Sequence, residues 1–492
     1  MVRLVSDVRS TGTSYRVQYI TSDRSGLYVS LNLHINKVFI VICYKSELKL
    51  SKLDYIIMGI DRGTRSLIML YYFFRYFGFR DFRYGGIIIK DLELIKKITV
   101  KDFDHFADHN VFLDWDREPL FNENLFSLDG QKWREMRTTL SPAFTSSKMR
   151  GMFELVTECA EQLSNYLLEE MQEPEHKDLF ARYSNDVIAT CAFGIKVDSY
   201  KEKDNEFFTN GKLSLGDDVN VFRLLLLSFP PLVKLMRIPV LPKDVRDFFK
   251  RLVLSSMETR EKKNIIRPDM IHLLMEAKKG KLIHNDDGRS EDTEWTDDII
   301  VAQALVFFLA GFDTTSTMEC FVAHELTVNP HIQKRLQEEV DEVANKNNGK
   351  VTYSDISSMK YMDMVVSGIR KNCQLHNSLC HSPSGEVKVT TSDAIQHDPQ
   401  YYENPSKFDP ERFSDENKGK INPITFLSFG FGPRSCIGSR FALMNIKVII
   451  FFLLLKFELV PTHKTQIPLK LNTRMVFTVP QKGFWIGLKP RN

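Results

Sequence analysis

The pattern of apolar and polar positions is ambiguous at the start of the chain and clear after about residue 71. Residues 1 to about 65 alternate only weakly, and we predict no element there. The segment from Gly86 to Lys90, with three consecutive isoleucines, predicts a strand. Asp91 follows as the predicted N-cap of a short helix that runs to about Lys97.

Helices dominate from about residue 130. The sequence predicts one helix from Gln131 to Leu140 and a second from Lys148 to Met171, which carries an apolar stripe. The longest predicted helix begins after Thr296, a favourable N-cap, and ends near Val328. Because Ile299–Ala310 is apolar on all sides, this helix is expected to be buried.

The remainder of the chain alternates helices with irregular segments. Pro330 opens a further helix, a loop rich in Pro, Asp and Asn runs from about Asp398 to Pro423, and a last long helix begins after Cys436. The tail is strand-like. The sequence therefore predicts a mainly α fold with small β-sheets.

Composition and charge suit a large globular protein. The 492 residues are 43% apolar and 26% charged, and 66 basic side chains nearly balance 63 acidic ones. A net charge of +3 over this length gives no electrostatic footprint for nucleic acid, so no nucleic-acid partner is predicted. Seven widely spaced cysteines indicate mostly free thiols in a reducing compartment.

No membrane-spanning helix is predicted. The chain has no stretch of about 18 to 20 uninterrupted apolar residues, and its start lacks the apolar core of a signal peptide. Val219–Leu241 is apolar but interrupted by charged residues and two prolines. Two interpretations stay open for this segment: it dips into a membrane surface, or it covers a core.

The strongest chemical signal is Phe429–Gly438, a glycine-punctuated loop that delivers one cysteine to the start of a helix. Gly430 and Gly432 allow tight turns and the close approach of a bulky partner. Helix N–H groups and the helix dipole favour an anion at Cys436, so its thiolate suits a soft metal centre. Arg434 supplies a fixed cation for an anionic ligand group. Taken alone, such a cysteine would more often be a buried free thiol.

This loop resembles the haem-binding loop of the cytochrome P450 family, F-x-x-G-x-R-x-C-x-G. Other segments resemble family motifs in the same order, from about residue 71 to the C-terminus. They are Trp133 with Arg137 (W-x-x-x-R), Ala310–Thr315 (the oxygen-activation motif) and Pro410–Phe413 (P-E-R-F). The resemblance is closest to animal microsomal members of the insect detoxification type.

The resemblance implies one large helical domain around a buried haem, residues 66–492, after an atypical segment, residues 1–65. The site residues that it implies are the iron ligand Cys436, its shield Phe429, and the haem-propionate contacts Trp133, Arg137 and Arg434. A tryptophan and an arginine four residues apart more often pack on a surface, and that alternative stays open.

The implied reaction inserts one oxygen atom from O2 into a lipophilic small molecule, with Asp313 and Thr314 relaying protons. A threonine within a helix can instead bond back to a carbonyl of that helix. No nicotinamide or flavin motif is present, so electrons would come from NADPH through a partner reductase. Phe307, Phe308 and Phe312 could line an apolar pocket, although core packing explains the first two equally well. The resemblance implies the cytoplasmic face of the endoplasmic reticulum membrane as the location.

Two groupings of histidine and cysteine suggest metal sites without completing one. His105 and His109 would share one face of a helix, but no third ligand follows. The second grouping matches no known zinc spacing and comprises Cys373, His376, Cys380 and His381.

The chain departs from the family pattern before the cysteine loop. Ser367 stands where the family has the Glu of E-x-x-R, whose Arg is here Arg370, and the P-E-R-F arginine that this pair contacts is Arg412. Leaving a buried arginine unpaired costs roughly 3–5 kcal/mol. Residues 368–393 lack the expected strand-forming segment, and residues 1–65 lack the expected anchor helix. Wrongly joined exons would explain both departures.

Three functions stay open on these grounds. The first is a haem-thiolate monooxygenase. The second is a defective relic of the family that binds haem poorly, as Ser367 and the irregular residues 368–393 suggest. The third is a haem-thiolate isomerase or dehydratase without external electrons, against which the intact Asp313–Thr314 pair argues.

Overall fold

The computed structural model of the protein describes residues 3–10, 13–22, 26–31, 76–81, 84–109, 119–170, 176–215, 241–267, 269–279, 295–346, 349–372, 378–381, 387–390, 392–474 and 477–491. Two compact units alternate along the chain. The first comprises Met1–Asn110, Asn377–Pro405 and Ile421–Ser435. The second comprises Val111–His376, Ser406–Lys420 and Cys436–Asn492. The predicted boundary near residue 65 and almost all of Val219–Leu241 lie outside the described residues.

The first unit begins with an antiparallel sheet of strands β1 (Arg3–Ser10), β2 (Thr13–Ser22) and β3 (Gly26–Leu31), in that order. The prediction of no element in residues 1–65 is therefore wrong for this stretch. Cross-strand pairs mix apolar and polar residues, as Val17 pairs with Ser6 on one side and with Leu31 on the other. Such mixed pairing leaves only a weak alternation in the sequence.

A second sheet of this unit has the order β4-β5-β7-β6. Its strands are β4 (Tyr76–Asp81), β5 (Tyr84–Ile89), β6 (Ser378–His381) and β7 (Val387–Thr390). The prediction that residues 368–393 lack strands is therefore wrong. β7 runs parallel to β5, and its partner residues lie just over 300 residues earlier in the chain. A pairing this distant leaves no local signal beyond a four-residue alternation.

The core of the first unit lies against β5. Asp91 caps helix α1 (Leu92–Lys96) by accepting the Leu94 N–H at 2.9 Å, which confirms the predicted N-cap. Helix α13 (Ser392–Gln396) contributes Ile395 to the same core. The other buried members are Ile89, Ile95, Ile98, Ile424 and Leu427.

The second unit is mainly helical. Its described helices are α2 (Pro119–Asn122), α3 (Gly130–Leu140), α4 (Ser146–Glu170), α5 (His176–Ile188), α6 (Glu206–Leu215), α7 (Lys243–Lys263), α8 (Met270–Lys278), α9 (Asp297–Val328), α10 (Pro330–Lys346), α11 (Tyr353–Ser358), α12 (Lys360–Asn372) and α14 (Ser439–Lys456). The predicted bounds of α3, α4 and α9 are confirmed to within two residues. Helices α4, α5, α9, α10, α12 and α14 enclose one large hydrophobic core.

Helix α9 is the 32-residue centre of this unit. The Thr296 hydroxyl accepts the Ile299 N–H at 3.3 Å, so the predicted N-cap is confirmed. By length and hydropathy, α9 is the helix among the described residues that could cross a membrane. Since 56% of its most apolar window is buried within the protein, its apolar character is that of a core helix.

Short strands close the C-terminal part of the second unit. β8 (Phe457–Val460) pairs antiparallel with β11 (Gly487–Pro490), and β9 (Leu471–Arg474) pairs antiparallel with β10 (Phe477–Pro480). The mainly α fold with small β-sheets is thereby confirmed.

Candidate functional site

In the first unit, the glycine loop before the cysteine adopts the left-handed conformation that its composition favours. φ is 75° at Gly430 and 81° at Gly432. Gly432 lies so close to the backbone of Thr99 that a Cβ atom would come within 2.1 Å of the Thr99 carbonyl oxygen. The predicted tight turns are confirmed. Within this unit the close partner of Gly432 is the Thr99 backbone carbonyl, and the approach of a bulky ligand stays a prediction.

Arg434 and Phe429 belong to the same loop. Arg434 Nε donates a 2.7 Å hydrogen bond to the carbonyl oxygen of Ala107. This bond holds the partly buried guanidinium against the segment that follows α1. Phe429 is also partly buried. The predicted roles of both residues toward haem stay predictions.

In the second unit, Cys436 precedes α14 by three residues. Its side chain is exposed, whereas Cys159, Cys191 and Cys320 are buried. Among the cysteines whose side chains are described, Cys436 therefore presents the accessible thiol.

The surroundings of the Cys436 sulfur act on it in opposite directions. Burial raises the pKa of the thiol, while the Gly438 N–H and the charges of Arg137 and Arg370 lower that pKa. The predicted thiolate-stabilising groups are present, but burial outweighs them in the free thiol, which corrects the prediction of a stabilised thiolate.

Helix α3 carries the tryptophan and arginine that the sequence pairs. Trp133 is 4% exposed, so the alternative that it packs on the surface is wrong. Arg137, one turn later, is partly buried. Burial lowers the pKa of Arg137 and the negative charge of Cys436 raises it. The structure thus brings Arg137 and Cys436 within electrostatic reach of each other.

Helix α12 supplies a second cation near the cysteine. Burial lowers the pKa of Arg370 to about 10, and the charges of Asp363 and Cys436 raise it. Asp363 lies two turns earlier on α12 and forms a 2.5 Å ion pair with Lys447. Ser367 is partly buried and carries no charge. Asp363 therefore supplies part of the negative charge that Ser367 lacks at the expected position.

The P-E-R-F segment forms a 3₁₀ turn, Pro410–Phe413, that begins at the cap residue Asp409. Glu411 makes an ion pair with Arg335 of α10, and the Arg335 guanidinium lies 4.0 Å from the centre of the Tyr361 ring. The acidic residue of this motif is thus engaged by α10, and the motif arginine, Arg412, is partly buried.

The centre of α9 is accessible although the helix is buried on both sides of it. Ala310 is exposed, whereas residues 300–305 and 315–324 are buried. Thr314 Oγ1 donates a 2.5 Å hydrogen bond to the Ala310 carbonyl oxygen. This is the bond of a threonine back to its own helix, the alternative that the sequence left open. A Cβ at Gly311 would lie 2.8 Å from Ile188, so this glycine lets α5 pack closely.

Asp313 is held by a lysine that sequence reasoning missed. Lys177 Nζ donates to Asp313 Oδ1 at 2.7 Å and to the Asp313 carbonyl oxygen at 3.2 Å. The same ammonium donates to the hydroxyls of Ser316 and Thr317. Lys177 lies 136 residues before Asp313, and no local pattern distinguishes it from other lysines.

The three phenylalanines proposed to line a pocket differ in their surroundings. Phe308 and Phe312 are 0% and 3% exposed and stack on each other at 5.3 Å. Phe308 also packs against Phe207 of α6 and Phe249 of α7, so core packing accounts for it. Phe307 is partly buried and is therefore the better candidate to face an apolar ligand.

The histidine and cysteine groupings do not come together as metal sites in the described part of the chain, where no group of three or more His, Cys, Asp or Glu residues could hold a metal ion. His105 ends a 3₁₀ turn and His109 follows in irregular chain, so the assumption that they share a helix face is wrong. Cys373 and His376 lie outside the described residues.

Within the described residues, the mainly helical second unit presents the exposed Cys436 ahead of a long apolar helix, and a cysteine thiolate is one of the ligands that hold haem iron. The family model of cytochrome P450 matches residues 69–369 and 370–487, and the chain belongs to this family. The break between the two matched segments falls between Ile369 and Arg370, just after Ser367, where the sequence departs from the family motif.

Relatives of the chain occur in insects. It is 45% identical over 458 residues to cytochrome P450 9e2 of Blattella germanica, covering 85% of this chain and 86% of that relative. It is 41% identical over 449 residues to the probable cytochrome P450 9f2 of Drosophila melanogaster, covering 85% and 87%. It is 36% identical over 431 residues to the probable cytochrome P450 6a13 of the same fly, covering 84% and 85%. Membership of this family makes the chain a monooxygenase by class and implies haem as its cofactor.

Proposed function

We propose that this protein oxidises lipophilic small molecules at a haem whose iron is ligated by Cys436. The observation that carries the proposal is the exposed residue Cys436 ahead of α14, with the Gly438 N–H and two arginines able to act on the charge of its sulfur. The matched family and the insect relatives support the same reaction class.

The residues present fit a haem. A thiolate is a soft donor suited to iron, and Arg137 and Arg370 supply positive charge near it. Ala310 is exposed at the centre of a helix whose two flanking parts are buried, which leaves room beside it. When bound, the haem supplies the redox centre for dioxygen, and donation from its thiolate ligand favours O–O cleavage.

The other residues of the site would hold the cofactor. Trp133, Arg137 and Arg434 are proposed to contact the haem propionates, because a guanidinium matches a carboxylate in charge and shape. Phe429 is proposed to shield the Cys436 sulfur from water, which tunes its potential.

Asp313 and Thr314 are proposed to move protons on the opposite side of the site. The Asp313 carboxylate, held by Lys177 at 2.7 Å from its Oδ1, would take up a proton from bulk water and pass it to the Thr314 hydroxyl. That hydroxyl would in turn pass its own proton into the substrate space. Asp313 would return to the carboxylate that Lys177 holds. Redirecting Thr314 from the Ala310 carbonyl costs one hydrogen bond within the helix.

Electrons are proposed to come from NADPH through a separate reductase, since the chain has no nicotinamide or flavin motif. We place the protein at the cytoplasmic face of the endoplasmic reticulum membrane, in keeping with the microsomal resemblance of its sequence. Phe307 on α9 supports an apolar substrate, because its partly buried ring adds apolar surface to the accessible side of the helix.

Carbon monoxide binding to the reduced protein tests the proposal. The wild-type chain is expected to take up haem and to show the red-shifted Soret band of thiolate ligation. Cys436→Ser is expected to lose this band, and the control Cys159→Ala, a buried free cysteine, is expected to keep it. A wild-type band that survives in C436S would overturn the assignment. Failure of the wild-type chain to hold haem would favour the defective relic.

A second measurement separates monooxygenation from isomerase or dehydratase chemistry. Oxidation of a lipophilic probe is expected only when NADPH and a reductase are both supplied. Conversion of the probe without electrons would contradict the proposal.

A further inference from the structure

Gln303 is a polar side chain within the apolar segment Ile299–Ala310 of α9, and it is 0% exposed. A buried amide is costly unless its donor and acceptor atoms are both satisfied. The position of Gln303 therefore requires specific partners.

Both partners of Gln303 are backbone groups of one distant segment. Its Oε1 accepts the Leu125 N–H at 2.9 Å, and its Nε2 donates to the Glu123 carbonyl oxygen at 2.5 Å. These partners lie 178 and 180 residues earlier in the chain. The amide thus fixes the segment after α2 to α9 through one donated and one accepted bond.

This segment is organised by its own side chains as well. Asn124 Oδ1 accepts the N–H groups of Phe126 and Ser127, and Asn124 Nδ2 donates to the Leu120 carbonyl oxygen. Leu125 and Leu128 are each 7% exposed. The segment is therefore a compact turn whose position depends on where Gln303 holds it.

The helical spacing places this attachment on the functional face of α9. Gln303, Phe307, Ala310 and Thr314 follow one another at intervals of four, three and four residues, so they share one face. Gln303 lies seven residues before the exposed Ala310, about 10 Å along the axis. The segment held by Gln303 therefore borders the accessible part of α9 at one end.

We infer that Gln303 is a positioning residue that fixes residues 123–128 as one wall of the substrate space and so determines which substrate sizes the enzyme accepts. The inference rests on the proposed function. A purely structural amide would affect folding alone, whereas this amide also affects discrimination between substrates.

The chain offers a matched control in Gln333 of α10. Gln333 is 2% exposed and also holds a distant segment by its backbone: its Oε1 accepts the Leu459 N–H at 2.7 Å and its Nε2 donates to the Leu459 carbonyl oxygen at 2.9 Å. Gln333 Nε2 also donates to the Leu326 carbonyl oxygen at 3.1 Å. Gln333→Leu therefore removes at least the pair of bonds to a distant backbone that Gln303→Leu removes, at a different place in the protein. Both variants are expected to melt at lower temperature than the wild type.

The experiment measures the dissociation constants of 7-alkoxycoumarins of increasing chain length, from the spectral change of the haem, together with amide hydrogen exchange. Gln303→Leu is expected to speed exchange at Leu125 by roughly tenfold. It is also expected to change the ratio of dissociation constants for long and short probes by about threefold or more, whereas Gln333→Leu leaves both quantities unchanged. If Gln303→Leu does not accumulate as folded protein, Asn124→Ala is measured instead. The same change in the ratio of dissociation constants for long and short probes is expected.

The inference is overturned if the ratio of dissociation constants is equal in the wild type, Gln303→Leu and Asn124→Ala. In that case a thiolate CO band in the same samples still supports the proposed function. A probe ratio that Gln333→Leu changes as much as Gln303→Leu would also overturn it. A wild-type chain without that band removes the proposed function and this inference together.

Discussion

Lys177 Nζ lies 2.7 Å from Asp313 Oδ1, and this ion pair joins the first turn of α5 to the centre of α9. The same ammonium donates to the hydroxyls of Ser316 and Thr317, so it is held on one side of α9 by several oxygens. The Lys177 and Asp313 side chains are 28% and 15% exposed. A charge-assisted bond at this depth fixes the orientation of the carboxylate next to Thr314.

Replacing Lys177 by Met is expected to slow turnover more than it weakens substrate binding. Asp313 would keep its place on α9 but lose the cation that orients its carboxylate, so proton delivery should fall by roughly tenfold or more. Stability should fall by about 1–3 kcal/mol, because a partly buried carboxylate is left without its partner. Turnover with NADPH and reductase, probe binding and thermal unfolding measure the three effects.

The control for this substitution is Lys250→Met. Lys250 also pairs with an aspartate of α9, Asp298, at 2.8 Å, but both side chains are about half exposed. The expected loss is below about 1 kcal/mol, with turnover unchanged. Equal losses of turnover in the two variants would show that the Lys177–Asp313 pair has no special role.

Restoring a carboxylate with Ser367→Glu is expected to stabilise the second unit and raise its haem content. Burial lowers the pKa of Arg370 from 12.5 to about 10, which corresponds to roughly 3 kcal/mol against its charged form at pH 7. A glutamate one turn before Arg370 should offset about 1–3 kcal/mol of this cost. Urea unfolding and haem absorbance per mole of protein measure the two outcomes.

Ser367→Gln is the matched variant, because it has the size of glutamate without the charge. It should give less than half of the stabilisation. A glutamate no better than the glutamine would mean that Asp363 already supplies the charge that Arg370 requires.

Local patterns were sufficient to predict the helical part of the fold. The bounds of α9 follow from the cap at Thr296 and from Pro330, and both signals lie within the helix or next to it. The strands β6 and β7 were missed because β7 is stabilised by pairing with β5, just over 300 residues earlier, and β6 in turn pairs with β7. Register between distant strands depends on tertiary packing, which a four-residue window cannot contain.

The residues of the candidate site also differ in whether a local sequence signal identifies them. Cys436 and Arg137 could be selected by motif spacing, and the structure brings their charges within reach of each other. Motif spacing could not select the other three residues. The roles of Lys177 and Gln303 come from partners on other elements, and the role of Asp363 comes from its charge two helical turns from Arg370. A polar residue within an apolar helix is the one signal that could have identified Gln303.

Gly432→Ala is expected to destabilise the first unit by more than about 3 kcal/mol. Its φ of 81° is unfavourable for alanine by about 1–2 kcal/mol, and the new Cβ would lie 2.1 Å from the Thr99 carbonyl oxygen. Gly419→Ala, in an open turn with no atom within 4 Å of the added Cβ, is expected to change stability by less than about 1 kcal/mol. Thermal unfolding compares the two. Equal melting temperatures would contradict the close approach at Thr99.

Glu325, in the last turn of α9, makes the stability of the protein depend on pH. Burial raises the pKa of Glu325 from 4.5 to about 7, although Asn329 Nδ2 donates to its Oε2 at 3.2 Å. The folded chain therefore holds this proton more tightly than the unfolded chain does. The resulting contribution to stability is complete below pH 4.5 and is lost as the pH rises through 7.

Glu325→Gln removes this titration and keeps an acceptor for Asn329. The free energy of unfolding of the variant, relative to the wild type, is expected to increase by about 2–3 kcal/mol between pH 5 and pH 8. Urea unfolding at four pH values in this range measures it. Glu342→Gln, on the exposed side of α10, should show no such slope. A pH-independent difference for Glu325→Gln would mean that the carboxylate is ionised at no cost in the folded protein.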